Sequence, residues 1–168
     1  MATPKEHLVA WLRDAHAMEE QAETMLSSQS RRLQNYPELK ARIDQHIEET
    51  REQARRIETC LERLDAGASS IKDISGKMVA LGQGLSGIFV EDEVVKGTLA
   101  GYTFEHMEIA SYKILITAAE AAGEAEIAAA CQANLAEEMA MAEWLDQHAA
   151  GTTRKFLNLD QADQTAKR

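Results

Sequence analysis

The residues most able to do chemistry in this chain are glutamates, and their spacing puts them where carboxylates are costly. Val94, Thr98, Gly101, Glu105, Glu108, Tyr112, Leu115 and Ala119 follow one another at alternating spacings of four and three. That rhythm keeps residues on one buried face of a helix. The same pattern holds in Leu8, Leu12, Ala15, Glu19, Ala22, Leu26 and in Ile127, Cys131, Leu135, Glu138, Ala142, Leu145. Three stripes therefore carry carboxylates at their centres. An ionised carboxylate in a core costs several kcal/mol unless it is paired, and two at i and i+3 repel one another. A cation must sit among them. Glu48 and Arg51 lie at the edge of a further stripe, Ile43, Ile47, Thr50, Ala54, Ile57, Leu61, Leu64, and can reach inward from it. Hard carboxylate oxygens suit iron or manganese. With Arg51 offsetting one of Glu19, Glu48, Glu105, Glu108 and Glu138, four negative charges remain, which two divalent ions would balance.

Positioning these groups takes long helices. Two prolines in 168 residues, with abundant Ala, Glu, Leu, Met, Gln and Lys, predict an all-α chain. Helices are expected over about 4–34, 38–65, 91–122 and 124–150. Thr3, Pro4 and Glu6 form a start signal, Asn35-Tyr36-Pro37 a break, and Gly123 and Gly151 stops. Residues 66–90 read as a long crossover holding a short helix at about 71–85, and 152–168 as a polar tail in which Phe156, Leu157 and Leu159 dock on the bundle. The whole of 1–168 is read as one domain, two helical hairpins joined by one crossover. In four-helix bundles with a single long connection, side chains of facing helices meet at mid-core to hold two metal ions.

A formal net charge of −10 excludes nucleic acid and anionic membrane surfaces as natural partners, since both are bound through Lys and Arg. No apolar run reaches the roughly 20 residues of a membrane span, and Glu6, Arg13 and Asp14 interrupt any signal-peptide core. The reading is a cytoplasmic protein. Cys60 and Cys131 are read as small core residues, not as a disulfide or a metal spacing.

Supporting residues are less decided by spacing. His16, three residues before Glu19, can orient a ligand from behind or stand partly exposed. Tyr112, four residues after Glu108, can hydrogen-bond a ligand carboxylate or fill core space. His46 and His148 are read as surface or boundary residues, and His106 as a subunit contact or solvent-facing. The usual di-metal pattern also asks for Glu-x-x-His on two helices. Here Arg51 follows Glu48 and Met141 follows Glu138. Arginine has no free lone pair for a metal, and Glu108 supplies an extra carboxylate.

The segments Trp11-Leu12-Arg13-Asp14-Ala15-His16-Ala17-Met18-Glu19, His46-Ile47-Glu48-Glu49-Thr50, Phe104-Glu105-His106-Met107-Glu108-Ile109-Ala110-Ser111-Tyr112 and Leu135-Ala136-Glu137-Glu138 resemble the YciE/YciF family of bacterial stress-associated proteins in the ferritin-like superfamily. The resemblance covers about residues 5–150. It implies a ferritin-like four-helix bundle, a homodimer, and a di-iron or di-manganese centre with ligands at Glu19, Glu48, Glu105, Glu108 and Glu138. Arg51 stands where a family histidine is expected.

Two functions follow from these observations. One is a stress-associated protein that uses a carboxylate-bridged iron or manganese pair on oxygen or peroxide. The other is a non-enzymatic structural or interaction bundle whose metal site has become a salt-bridge network around Arg51. For the dimer, apolar surface is expected along Leu99, Tyr102, Ile109 and Ile116, or along Met78, Leu81 and Leu85.

Overall fold

The computed structural model describes residues 1–65, 93–162 and 164–166. Those residues form four helices, α1 (Pro4–Ser30), α2 (Pro37–Arg63), α3 (Glu93–Ala121) and α4 (Ala125–Gln161), and no strand. The expected crossover over 66–90, with its short helix and Met78, Leu81 and Leu85, lies outside the described residues.

Local chemistry sets the helix ends. Thr3 caps α1 through a full capping box, its hydroxyl accepting from the Glu6 backbone N–H at 3.2 Å while its own N–H donates to the Glu6 carboxylate at 2.7 Å. α1 stops at Ser30, four residues short of the expected end, and Arg31–Tyr36 form the turn into α2. Gly123, at φ +75°, turns α3 into α4 in the left-handed region that glycine occupies without strain.

The expected stop at Gly151 is corrected, because α4 runs on to Gln161. One helical glycine costs only about 1 kcal/mol. The apolar contacts of Phe156 and Leu159, which pack against the cluster that contains Leu145 and Tyr36, outweigh that cost.

 The tail then returns to the bundle, Asn35 Nδ2 donating to the Thr165 carbonyl at 2.6 Å and the Tyr36 hydroxyl donating to the Ala166 carbonyl.

α1 packs on α2 and α3 on α4, giving the two expected hairpins. Ion pairs fix how they meet. Arg32, just past α1, pairs with Glu93 at the start of α3, and Arg63, at the end of α2, pairs with Glu124 and Glu126 at the start of α4. Chain therefore leaves α2 at one end of the bundle and enters α3 at the other.

The core is divided. One apolar cluster holds Leu8, Leu12, Ile57, Leu61, Phe104, Leu115, Ile127 and their neighbours. The other holds Leu26, Leu39, Ile43, Val94, Met141 and Leu145. Between them, Glu19, His46, Thr50, Gln53, Glu105, Glu108, Asn134 and Glu138 are buried on all four helices. Cys60 and Cys131 are free, buried core residues, their thiols pushed up to about 11 and about 12 by burial. No helix among the described residues is long and apolar enough to cross a membrane.

Candidate metal centre

The stripes read for α1 and α3 face inward, carrying Glu19, Glu105 and Glu108 into the polar layer, and α4 brings Glu138 to meet them. The contribution of α2 differs from the one expected. Glu48 is turned outward with its side chain 70% exposed, so its predicted place in the cluster is corrected. One residue along a helix is a rotation of about 100°, and Glu49 rather than Glu48 lies on the inward edge.

Arg51 is corrected with it. It is bound to Glu23 at 2.7 Å and to Glu48, with its side chain 40% exposed, and does not enter the layer. His46, read from sequence as a surface or boundary residue, is the group that does, at 1% exposure.

The imidazole of His46 is held between two kinds of carboxylate. Nδ1 lies 2.8 Å from Glu49, which is itself paired with Arg42 at 3.1 Å. Nε2 lies 3.1 Å from Glu105 Oε2 and 3.4 Å from Glu138 Oε2. Neither inward approach is aligned as a hydrogen bond, and Glu105 Oε2 and both oxygens of Glu138 have no hydrogen-bond partner. Glu49 thus sets the ring orientation, and Nε2 is turned toward the carboxylates.

Charge follows from this geometry. Burial works against the imidazolium, but the contacts with Glu105, Glu138 and Glu49 outweigh it and raise His46 to about 12. Burial raises Glu105 to about 7 against the pull of His46. Glu108 is pushed well above the carboxylate range by burial and then by the charge of Glu138, and Glu19 likewise, with the Tyr112 hydrogen bond opposing the rise. Burial also works against the Glu49 anion, yet His46 and Arg42 hold it down to about 2.

One ligand atom from each of His46, Glu105, Glu108 and Glu138 lies within 4.8 Å of all the others. Glu19 Oε2, Glu105 Oε2, Glu108 Oε1 and both oxygens of Glu138 are buried without a hydrogen-bond partner. Orphaned buried acceptors are rare in folded proteins and call for an unseen partner. Carboxylate oxygens with one imidazole form a donor set that suits a hard or borderline divalent cation, and the histidine oriented by a carboxylate behind it is the usual arrangement at such sites. The residues fit a metal ion.

Of the three supporting residues expected from sequence, Tyr112 is in place, its hydroxyl donating to Glu19 Oε1. His16 is buried on α1 with Nδ1 3.9 Å from Glu20 and no hydrogen-bond partner, outside the four-residue group. Arg51 is elsewhere, as described above.

The remaining histidines belong to the surface. His7 stacks on Trp11, His106 meets Tyr102 edge-on, and His148 stacks on Trp144.

Solved structures share this architecture. A protein from Xanthomonas campestris pv. campestris matches with a TM-score of 0.80 and 43% sequence identity, over 95% of this chain and 99% of that one. The stress protein YciF of E. coli matches with a TM-score of 0.77 and 29% identity, over 92% of this chain and 99% of that one. YcfI of Rhodopseudomonas palustris matches with a TM-score of 0.69 and 26% identity, over 87% and 94%. These relatives agree with the YciE/YciF resemblance seen in the sequence. A family model described as a domain of unknown function, DUF892, matches residues 3–158, and the chain belongs to that family.

Proposed function

We propose that this protein is a stress-associated ferritin-like bundle that binds iron or manganese in its central polar layer and acts through those ions on oxygen or peroxide. The observation that carries the reading is the buried group of His46, Glu105, Glu108 and Glu138, with five carboxylate oxygens in the layer left without a hydrogen-bond partner. These four residues would hold a first ion. Glu19 and the remaining oxygens of Glu138 and Glu108 are available to a second, and the four carboxylates would balance two divalent charges. A bound pair of such ions would supply electron exchange with a small oxidant. The chain's own part is to exclude water from the layer, to hold His46 Nε2 inward through Glu49, and to give up the protons of His46 and the carboxylates when ions bind. Kinship with a protein described as a stress protein supports the physiological setting.

Metal content tests this reading. Protein prepared without chelator is expected to carry about one to two transition ions per chain. His46→Ala, or Glu105→Gln with Glu138→Gln, should lose them, and a native protein without iron or manganese would end the proposal.

One observation favours a second reading, a metal-free structural bundle. His46 stays protonated among the carboxylates, so the layer has an internal cation. That cation is His46 and not Arg51, which corrects the network expected from the sequence.

The proposal includes a homodimer. Ile109 is buried within its own chain, whereas Leu99 and Ile114 on the outer side of α3, and Trp11 on α1 beside Ile114, are 62%, 55% and 40% exposed. Such a surface gains by pairing. Sedimentation should give a dimer that Leu99→Glu with Ile114→Glu converts to monomer; a native monomer at micromolar concentration would refute it.

A further inference from the structure

A line of hydrogen bonds joins the protein surface to the polar layer, and every donor along it points inward. It begins at Arg56 on α2, 27% exposed, which holds Glu137 of α4 through two hydrogen bonds of 2.8 and 3.0 Å. Arg56 Nη1 also donates to Asn134 Oδ1 at 2.9 Å. Asn134 Nδ2 donates to the Tyr112 hydroxyl oxygen at 2.9 Å, and the Tyr112 hydroxyl donates to Glu19 Oε1. Asn134, Tyr112 and Glu19 are each fully buried.

The direction of this chain follows from chemistry. A guanidinium only donates, so the amide of Asn134 must turn its oxygen to Arg56 and its nitrogen to Tyr112. The phenol oxygen then accepts, and its one hydrogen is left for Glu19. Each bond polarises the next, and such chains strengthen cooperatively in a low-dielectric interior. At the inner end, Glu19 has one oxygen satisfied and the other, Oε2, without a partner. Gln53 braces the outer end, donating to Glu137 at 3.0 Å.

We propose that Arg56 and Asn134 are positioning residues that act through Tyr112 to fix the Glu19 carboxylate, so that Oε1 is held and Oε2 is presented to a cation. The hydrogen-bond chain stands independently of any metal; its effect on a cation rests on the metal-binding reading above. It makes the metal layer sensitive to a half-exposed ion pair between α2 and α4. A merely structural Arg56–Glu137 pair would hold those two helices together without reaching Glu19.

The test reads the chain in metal-free protein first. The Tyr112 hydroxyl proton, identified by its loss in Tyr112→Phe, should give a downfield proton resonance. It should move upfield in Arg56→Met and in Asn134→Leu, and return in Arg56→Lys, which restores a donor that cannot accept. An unmoved resonance in folded Arg56→Met overturns the proposal.

Calorimetric titration with manganese(II) is the second arm. Arg56→Met should bind about 10-fold more weakly than native protein, with Arg56→Lys near native. Equal affinity in native and Arg56→Met would overturn the positioning role. If native protein takes up no manganese(II), iron(II) included as a control, the metal reading fails and the hydroxyl resonance alone decides the chain.

Discussion

Replacing His46 by glutamine is expected to cost the metal-free protein about 3–5 kcal/mol at neutral pH, the loss seen when one partner is removed from a buried group of charges. His46 is 1% exposed and touches Glu49, Glu105 and Glu138, and glutamine keeps most of its bulk without the charge. The loss should shrink in acid. Without the imidazolium, the folded-state carboxylates rise further above their unfolded values, so their stabilising protonation is present at low pH and disappears as pH rises through them. Arg51→Ala is the control. Among the described residues its side chain is paired with Glu23 and Glu48 at the surface, and the variant's melting temperature should stay close to that of native protein. Melts in chelator at pH 5 and pH 7.5 check both. A small loss from His46→Gln beside a large one from Arg51→Ala would place the essential cation at Arg51 instead.

The second large effect is on pH. Glu105 is raised from 4.5 to about 7, with Glu19 and Glu108 raised as well, and His46 is raised from 6.5 to about 12. All four bind protons more tightly folded than unfolded. The carboxylates contribute fully below their unfolded value of 4.5 and lose that contribution as pH rises through their folded values. His46 contributes fully below 6.5 and loses it on the way to about 12. Glu49, lowered from 4.5 to about 2, works in the opposite sense and loses its contribution as pH falls through about 2. The metal-free protein should therefore be most stable in mildly acidic solution, near pH 5. From there to pH 9 its melting temperature should fall by roughly 5–10 °C.

Bound metal should reverse the slope. Binding requires a deprotonated His46 Nε2 and ionised carboxylates, so it releases protons and tightens as pH rises. Manganese(II) at 100 times its dissociation constant adds about 2.7 kcal/mol. Added ion should do little at pH 5 and raise the melting temperature by roughly 5–10 °C at pH 8. A melting temperature that is flat from pH 5 to 9, with and without metal, would remove the layer from any role in stability.

How much of this was legible in the sequence depends on the helix. On α1 and α3 the carboxylates interrupt otherwise apolar stripes, and every residue of those two stripes is buried. α2 hid its seam. The buried line there is Leu39, Ile43, His46, Thr50, Gln53, Ile57, Cys60, which also alternates by four and three. Its central residues are polar, however, and a neighbouring line through Ile47, Ala54, Leu61 and Leu64 looks more hydrophobic. A polar seam is stable only because the other helices bring carboxylates to it, and one helix read alone does not show that. The choice of Glu48 over Glu49 failed for the same reason, since the face was taken one residue too far round. The signal that would have corrected it is the spacing of Arg42, His46 and Glu49, a cation, a histidine and a carboxylate along one inward edge. At Gly151 the local stop signal was real but weaker than the burial gained by Phe156 and Leu159 beyond it.

The division of the core into two apolar clusters by one polar layer also bears on how the helices find their alignment. Purely apolar helix faces can slide past each other by a turn, about 5.4 Å, and still bury leucine against leucine. Here a one-turn slip of α1 would bring Ala15 or Ala22 opposite His46 and carry Glu19 in among the leucines of one cluster. An unpaired carboxylate there costs several kcal/mol, and His46 would lose a counter-charge at the same time. The layer works as a key that admits one register: it gives up some stability to desolvation, and in exchange each slipped packing of the same four helices is worse than the native one.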